Sequence, residues 1–177
     1  MSSMKLLNES CIDQDVDVIV NAANRYLAPG AGVCGAIFRR AGYVELSTAC
    51  NKYELPLLDG DVVITPAFGI TNAKYIIHAV GPDFSYTPDA FDKLFDAYYN
   101  SLELLVENNL HSIAFPLISA GLFGGELENP AAESTKQCIK AYNKITKKYK
   151  NYQISVIICA YLEQEYIEAK KYIMNNN

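Results

Sequence analysis

Residues 21–42 have the sequence NAANRYLAPGAGVCGAIFRRAG, in which a loop of small residues separates two asparagines from a predicted helix. The loop contains Ala28, Gly30, Ala31 and Gly32, and Cys34 lies just beyond them. Glycine has no Cβ atom, so the backbone at such positions can touch a bound group directly. The stretch therefore predicts a loop that wraps a ligand at the start of a helix.

The rest of the chain alternates between predicted strands and predicted helices. Apolar runs rich in β-branched residues predict buried strands at residues 16–20, 61–67, 74–80, 112–118 and 154–161. Amphipathic or capped runs predict helices at residues 91–106, 129–149 and 163–174, with Asp89 as a candidate N-cap of the first. Continuous strand hydrophobicity is typical of a parallel sheet covered on both faces. We predict an α/β fold, a three-layer sandwich, formed by a single domain of residues 1–177.

Composition narrows the class of protein. The chain of 177 residues has a formal net charge of −5 and five widely spaced cysteines, with no CxxC pair. This pattern argues against a disulfide framework and a zinc knuckle, and favours a reducing compartment. No apolar run approaches the ~18 residues that a membrane span needs. We expect a cytoplasmic protein that binds neither membranes nor duplex nucleic acid.

Two glycine-containing loops follow predicted strands, at residues 21–35 and 119–130. Ligands of open α/β sheets bind beyond the carboxyl ends of the strands, and successive backbone amides at a turn or helix start bind anions. Two such loops side by side suggest a diphosphate, and Asn21 and Asn24 suit ribose hydroxyls. Neither loop is a Walker A motif or a GxGxxG fingerprint, and glycines of this kind can also serve only to make tight turns.

Four stretches together resemble a macro domain, the ADP-ribose-binding module. They are VDVIVNAAN, the glycine loop entering GAIFRRAG, KYIIHAVGP and FPLISAGLFGG, which occur in the expected order over nearly the whole chain. Within the family the sequence is most similar to MacroD-type ADP-ribosyl hydrolases, which include deacetylases of O-acetyl-ADP-ribose. The resemblance implies a mixed, mostly parallel sheet with ADP-ribose lying across the strand ends.

The resemblance also implies roles for particular residues. The first loop would wrap the distal ribose and a phosphate, the second would donate backbone amides to the diphosphate, Asn24 and Phe123 would contact the distal ribose, and Tyr161 would stack on adenine. Tyr161 could instead be a core aromatic residue at a strand end. The predicted ligand-binding residues are Ser10, Cys11, Asn21, Ala22, Asn24, Gly30, Ala31, Gly32, Val33, Cys34, Ser119, Ala120, Gly121, Leu122, Phe123, Gly124 and Tyr161.

Cys34 occupies the position where MacroD-type hydrolases have an aspartate, and Phe38 the position where many have a histidine. A thiol with a pKa near its usual value of ~8.5 is mostly neutral at pH 7 and accepts hydrogen bonds weakly. Three interpretations stay open. Cys34 is an activated thiolate, or an apolar filler beside a water held by Asn24 and the bound phosphate, or the mark of lost catalysis. Asn24 and Cys34 are accordingly the candidate catalytic residues.

Other polar positions give weaker predictions. Many family members have an aspartate that accepts a hydrogen bond from the adenine amino group, and here Ser10 stands in that position, next to Glu9 and Cys11. Base recognition is therefore expected to be weaker or to depend on backbone groups. His78 is predicted to be a structural histidine within a strand. Two scattered histidines and five separate cysteines form no recognisable metal site, and no cofactor is predicted.

Three classes of function are considered for these residues. The first is hydrolysis of ADP-ribosyl esters, either mono-ADP-ribosylated acidic side chains or O-acetyl-ADP-ribose. The second is a non-catalytic module that binds ADP-ribose or ADP-ribosylated proteins, which the cysteine at position 34 favours. Binding of RNA or poly-ADP-ribose is a third possibility, and the acidic balance of the chain counts against it.

Overall fold

A computed structural model of the chain describes residues 1–176. Its strands are β1 (Ser3–Leu7), β2 (Val18–Ala23), β3 (Val62–Pro66), β4 (Tyr75–Val80), β5 (Ser112–Pro116) and β6 (Ser155–Cys159). Its helices are α1 (Gly32–Ala41), α2 (Tyr43–Cys50), α3 (Phe91–Glu107), α4 (Pro130–Lys148) and α5 (Glu163–Asn175). Each predicted strand and helix is present, with its ends displaced by a few residues.

The six strands form one sheet in the order β1-β6-β5-β2-β4-β3. All neighbouring pairs are parallel except β3 with β4, which is antiparallel at the edge. Parallel strands place their carboxyl ends at one edge of the sheet, so the loops after β2, β5 and β6 lie together. This is the mixed, mostly parallel sheet that the resemblance to macro domains implied.

Alternate residues of the strands enter two separate apolar cores. Val18 and Val20 of β2 pack in a core that includes Leu94 of α3 and Ile145 of α4. The intervening Ile19 packs in a second core that includes residues of α1 and α2. Because successive side chains of a strand point to opposite faces, this division confirms a sheet covered by helices on both sides, the predicted three-layer sandwich.

Strand β1 and helix α2 were not predicted from the sequence, and the predicted N-cap of α3 was wrong. Strand β1 has only partly buried or exposed residues, so it lacks the continuous apolar run by which the other strands were found. Helix α2 spans only eight residues and shows little amphipathic pattern. Helix α3 begins after Ala90 and has no side-chain cap, so Asp89 is not its N-cap. Helix α4 begins as predicted, with the side chain of Asn129 accepting a hydrogen bond from the N–H of Ala132 and with Pro130 in its first turn.

Asp17 connects the starts of three strands. Its Oδ2 atom accepts hydrogen bonds from the N–H groups of His111 (2.8 Å), which precedes β5, and Ser112 (3.2 Å), which begins it. Its Oδ1 atom lies 3.3 Å from the ammonium nitrogen of Lys74, which precedes β4. Burial alone would raise the pKa of Asp17, but these donors hold the pKa below its usual value. The contacts lie at the amino edge of the sheet, opposite the glycine loops.

None of the helices within residues 1–176 combines the length and apolar composition that crossing a bilayer requires.

Candidate functional site

A cleft of about 660 Å³ opens at the carboxyl edge of β2, β5 and β6. Both glycine loops form its walls, as expected for loops after neighbouring parallel strands. The predicted residues that the structure brings together here are Ala22, Asn24, Gly30, Ala31, Gly32, Val33, Cys34, Ser119, Gly121, Leu122, Phe123 and Tyr161. Its other lining residues, which the sequence did not indicate, are Ala23, Pro116, Leu117, Cys159, Leu162 and Glu165.

Five predicted residues lie outside this lining. Cys11 and Asn21 are buried, with exposed fractions of 2% and 0%, and Cys11 packs in the same apolar core as Cys34 and Cys159. Ser10 precedes a short 3-10 turn at the start of which Cys11 lies. Ala120 borders a different groove, and Gly124 is buried beside Pro130. Contacts with a ligand stay predictions for these five residues and for the twelve that line the cleft.

The side chain of Asn24 holds the first loop in shape. Its Oδ1 atom accepts hydrogen bonds from the N–H groups of Tyr26 (3.1 Å) and Ala28 (3.0 Å), and its Nδ2 atom donates to the carbonyl of Ala28 (2.8 Å). A primary amide has two N–H donors and one oxygen with two lone pairs. Both lone pairs are therefore engaged, and one N–H remains for a group in the cleft.

The start of helix α1 requires glycine at two positions. Gly32 has a φ of 60°, a left-handed conformation that residues with a Cβ atom adopt at a cost. A Cβ atom on Gly35 would lie 2.4 Å from the carbonyl oxygen of Gly30, so the loop can pass this close to the helix only because Gly35 has no side chain. The small side chains, or absent side chains, within residues 28–35 thus allow the loop to fold back on α1.

Backbone N–H groups from both loops are available to a ligand. The first N–H groups of a helix have no partner within that helix, and Gly32 and Val33 begin α1 at the cleft wall. In the second loop, the N–H groups of Gly121, Leu122 and Phe123 have no backbone acceptor within residues 1–176. Two sets of free donors therefore border the same cleft, an arrangement that suits an anion.

The second loop has a strained backbone at Ser119. Its φ of 59° is uncommon for a residue with a side chain, and its hydroxyl donates to the carbonyl of Pro82 at 2.7 Å. The carbonyl of Phe123 accepts a hydrogen bond of 2.8 Å from the N–H of Phe84. The loop after β4 therefore supports the loop after β5 from outside the cleft.

Cys34 lies at the wall of the cleft. Its exposed fraction is 7%, and its Sγ atom lies 3.5 Å from the carbonyl oxygen of Ala28, to which it can donate. Burial raises the pKa of Cys34, and the polar groups of Asn21 and Gly30 beside it offset this only in part. An activated thiolate needs a lowered pKa, so the raised pKa counts against that interpretation, and the role of Cys34 stays a prediction.

Behind Cys34, three buried polar side chains are hydrogen-bonded in series. The Nδ2 atom of Asn21 is 3.1 Å from Nδ1 of His78, and Nε2 of His78 is 2.9 Å from the hydroxyl of Thr65. All three side chains are buried, and burial lowers the pKa of His78 from 6.5 to about 4. His78 is thus a neutral structural histidine, as predicted. The Oδ1 atom of Asn21 has no hydrogen-bond partner within the described part of the chain.

The far end of the cleft is open and partly apolar. Tyr161 is 68% exposed and Leu162 is 57% exposed, so Tyr161 is not the core residue that was its alternative interpretation. Asn8 holds their connection to β6 by donating to the carbonyls of Ala160 (2.9 Å) and Tyr161 (3.2 Å). Glu165, in the first turn of α5, lines the same end, and burial raises the pKa of its carboxyl group.

The cleft and a larger groove nearby differ in the charged side chains that line them. No lysine, arginine or histidine is among the residues that line the cleft. A groove of about 750 Å³ between α4 and α5 is bordered by four glutamates, Glu128, Glu133, Glu165 and Glu168, and by one lysine, Lys136, so its net charge is negative and disfavours anions. Because the cleft has no basic side chain, backbone dipoles must supply the positive potential for any anion that binds in it. Within residues 1–176, no group of three histidine, cysteine, aspartate or glutamate side chains is placed to bind a metal ion.

A model of the macro domain family matches residues 20–135, which include both loops of the cleft. The chain belongs to the macro domain family. It is 38% identical over 165 residues to an uncharacterized protein of Sulfolobus acidocaldarius, covering 92% of this chain and 85% of that one. It is also 37% identical over 153 residues to mouse ADP-ribose glycohydrolase MACROD1, covering 85% of this chain and 45% of the mouse protein. The second match supports the predicted closeness to MacroD-type members.

Solved macro domains have the same fold. The structure of the Oceanobacillus iheyensis macrodomain with ADP superposes with a TM-score of 0.85 at 32% sequence identity, covering 96% of this chain and 89% of the other. The structure of the Trypanosoma brucei macrodomain in complex with ADP-ribose gives a TM-score of 0.84 at 28% identity, covering 96% of this chain and 68% of the other. The three-layer architecture is therefore that of the macro domain.

Proposed function

We propose that the cleft of this macro domain binds ADP-ribose and hydrolyses ADP-ribosyl esters. The observation that supports binding is that two groups of backbone N–H donors, in residues 32–33 and 121–123, face the same cleft without backbone acceptors in the described part of the chain. The cleft has no basic side chain, so these donors are what can hold a diphosphate. Its volume of about 660 Å³ lies within the ~300–1,000 Å³ of small-molecule sites. The Trypanosoma brucei relative has been solved in complex with ADP-ribose, which supports the same ligand here.

The proposed pose places the diphosphate between the two loops. The distal ribose, which bears the ester, lies beside Asn24, Cys34 and Phe123, and the adenine lies at the open end beside Tyr161 and Leu162. An aromatic side chain stacked on a base contributes roughly 1–3 kcal/mol, and an exposed tyrosine ring is free to do this. The helix dipole of α1 and the free amides compensate the negative charge of the phosphates.

The chemistry in this pose is attack of water on the anomeric carbon of the distal ribose. A bond forms between the water oxygen and that carbon, the bond to the acyl oxygen breaks, and the carboxylate leaves with the electron pair. Asn24 has one N–H left to hold the water but no free lone pair to accept a proton. The water proton therefore passes to an oxygen of the bound phosphate, and the protein contributes mainly positioning.

A second candidate function is a reader that binds ADP-ribose or ADP-ribosylated proteins without turnover. The neutral thiol of Cys34 favours it, because no ionised side chain borders the proposed position of the distal ribose. Deacetylation of O-acetyl-ADP-ribose belongs to the first function and would use the same residues. There the water oxygen bonds to the acetyl carbonyl carbon, the bond from that carbon to the ribose oxygen breaks, and the ribose oxygen takes up a proton.

The deciding experiment measures label release from a peptide that bears ADP-ribose on glutamate, beside calorimetry with free ADP-ribose. The proposal expects both binding and release, with release retained in Cys34→Ala and lost in Asn24→Ala. Because Asn24→Ala also loses three loop contacts, its turnover is measured at saturating substrate. Binding without release at high enzyme concentration supports the reader, and release abolished by Cys34→Ala contradicts the phosphate-assisted scheme.

A further inference from the structure

A second depression continues from the distal-ribose end of the cleft. It has a volume of about 370 Å³ and shares Asn24 and Phe123 with the cleft. It then shares Arg25, Asp59 and Thr87 with a third depression of about 550 Å³. We call these two depressions the exit groove, since they lead outward from the position where the proposed pose places the ester.

The exit groove has exposed aromatic and apolar walls. Tyr26 and Tyr86 line its first part, with exposed fractions of 64% and 85%, and Leu58 lines its second part at 66%. Single exposed apolar side chains are normal on a protein surface. Three along one groove that opens from a ligand cleft are typical of a binding surface.

Hydrogen bonds pre-form the wall that bears Tyr86. Asp83 accepts from the N–H of Ser85 at 3.0 Å, and the hydroxyl of Thr87 donates to the carbonyl of Asp83 at 3.0 Å. The N–H of Phe84 donates to the carbonyl of Phe123, which belongs to the cleft. The groove wall and the diphosphate loop are therefore fixed relative to each other before any ligand binds.

The groove has a negative charge. Arg25 and Asp59 form an ion pair of 3.1 Å, so their charges offset each other, and Lys93 lies 3.9 Å from Asp96. The remaining carboxylates of the groove are Asp83, Asp89 and Asp92, and none of them forms an ion pair within residues 1–176.

We infer that the exit groove binds the polypeptide of an ADP-ribosylated protein, in a stretch with arginine or lysine next to the modified side chain. Basic side chains complement the free carboxylates, and an arginine can also stack on an exposed tyrosine ring. The inference rests on the proposed function, since the pose of ADP-ribose decides where the attached chain leaves the cleft. It selects modified proteins over O-acetyl-ADP-ribose, whose small acetyl group would leave the groove empty.

The test compares three ligands by calorimetry at low salt. They are free ADP-ribose, a peptide with ADP-ribose on a glutamine nitrogen flanked by arginines, and the same peptide flanked by glutamates. The glutamine linkage is an amide and not the ester that the cleft is proposed to cleave. We expect the arginine-flanked peptide to bind about fivefold more tightly than the other two ligands, the effect of two or three exposed ion pairs. High salt should remove most of this difference.

Matched variants test whether carboxylates of the exit groove cause the preference for the arginine-flanked peptide. Asp83→Asn/Asp89→Asn removes two charges from the groove, and Asp15→Asn/Glu107→Gln removes two exposed charges near the amino edge of the sheet. The first variant should lose the preference for the arginine-flanked peptide, the second should retain it, and both should bind free ADP-ribose as the unchanged protein does. Tyr86→Ala should weaken peptide binding alone.

Two results overturn the inference while leaving ADP-ribose binding intact. One is equal affinity of the unchanged protein for both peptides, and the other is an equal loss of preference in both charge variants. Failure of free ADP-ribose to bind at all would instead contradict the proposed function itself.

Discussion

Asn24 and Cys34 have different roles in the cleft, although both were predicted to be catalytic from their positions. Asn24 uses both lone pairs of its amide oxygen to shape the first loop, which leaves it a donor for the cleft. Cys34 is buried with a raised pKa and fills the wall beside it. Neither residue can take up a proton readily at neutral pH, which is why the proposed reaction depends on the phosphate of the substrate.

Cys34 should react slowly with thiol reagents despite its position at the cleft. Only thiolates react, and burial raises the pKa of this thiol. Mass-spectrometric mapping after brief iodoacetamide treatment at pH 7 should find Cys34 largely unmodified in the native protein and modified after unfolding in urea. Rapid native labelling of Cys34 would show a thiolate and support its interpretation as an activated thiolate.

The stability of the protein should fall as the pH is lowered from about 6.5 to 4, because His78 stays neutral in the folded state. Its pKa is lowered by burial to about 4, so in this window the unfolded chain binds a proton that the folded protein does not. The loss should reach about 3 kcal/mol, measured by urea unfolding across this range.

Histidine substitutions separate this effect from general acid instability. His78→Gln should be less stable at pH 7 and should lose most of the pH dependence between 6.5 and 4. The control is His111→Gln, which replaces an exposed histidine and should keep the pH dependence. An unchanged pH profile in His78→Gln would show that another group causes it.

Helix α1 and the first loop act together as one element of the site. The carbonyl of Gly30 lies so close to Gly35 that a Cβ atom there would approach it to 2.4 Å. Gly35→Ala should therefore displace residues 30–32 and weaken binding of ADP-ribose at least tenfold, measured by calorimetry. Overpacking of this kind also costs about 1–3 kcal/mol of stability.

Gly69→Ala is the matched control for that change. A Cβ atom on Gly69 would lie 2.5 Å from the carbonyl oxygen of Arg40, near the opposite end of α1. It should destabilise the protein by a similar amount and leave the affinity for ADP-ribose unchanged. Equal affinities of the two variants would show that the loop conformation is not what the ligand needs.

Asp17 stabilises the starts of strands at the edge of the sheet opposite the cleft. Asp17→Ala leaves the N–H groups of His111 and Ser112 without their acceptor and should destabilise the protein by about 2 kcal/mol. Since the pKa of Asp17 is lowered, its contribution is present at neutral pH and is lost only in acid below about pH 4. Urea unfolding of Asp17→Ala and of the exposed-site control Asp15→Ala at pH 7 and pH 3 tests both statements.

Elements with a strong repeating pattern were predictable from the sequence, and elements without one were not. Strand β2 and helix α3 have clear apolar runs, whereas β1 is an edge strand with no buried residue and α2 is short. The two loops were predicted through their glycines and their likeness to the macro domain. The contributions of Leu117, Cys159 and Glu165 to the cleft depend on tertiary packing, which no local pattern encodes.

At the scale of the whole molecule, a ligand that binds only the folded state must stabilise it. ADP-ribose at about 100 times its Kd should raise the free energy of unfolding by about 2.7 kcal/mol. Adenosine at the same concentration should raise it much less, because it has no phosphate to accept hydrogen bonds from the two loops. Thermal unfolding with each ligand gives the comparison, and equal shifts in Tm would show that the base and not the diphosphate dominates binding.

The central claim is that main-chain N–H groups of two neighbouring loops bind the diphosphate. Amide resonances of the protein recorded by NMR during titration with ADP-ribose test it most directly. Large shifts are expected for Gly32, Val33, Gly121, Leu122 and Phe123, in both loops at the same ligand concentrations. Unchanged resonances in either loop, or shifts confined to the acidic groove between α4 and α5, would contradict it.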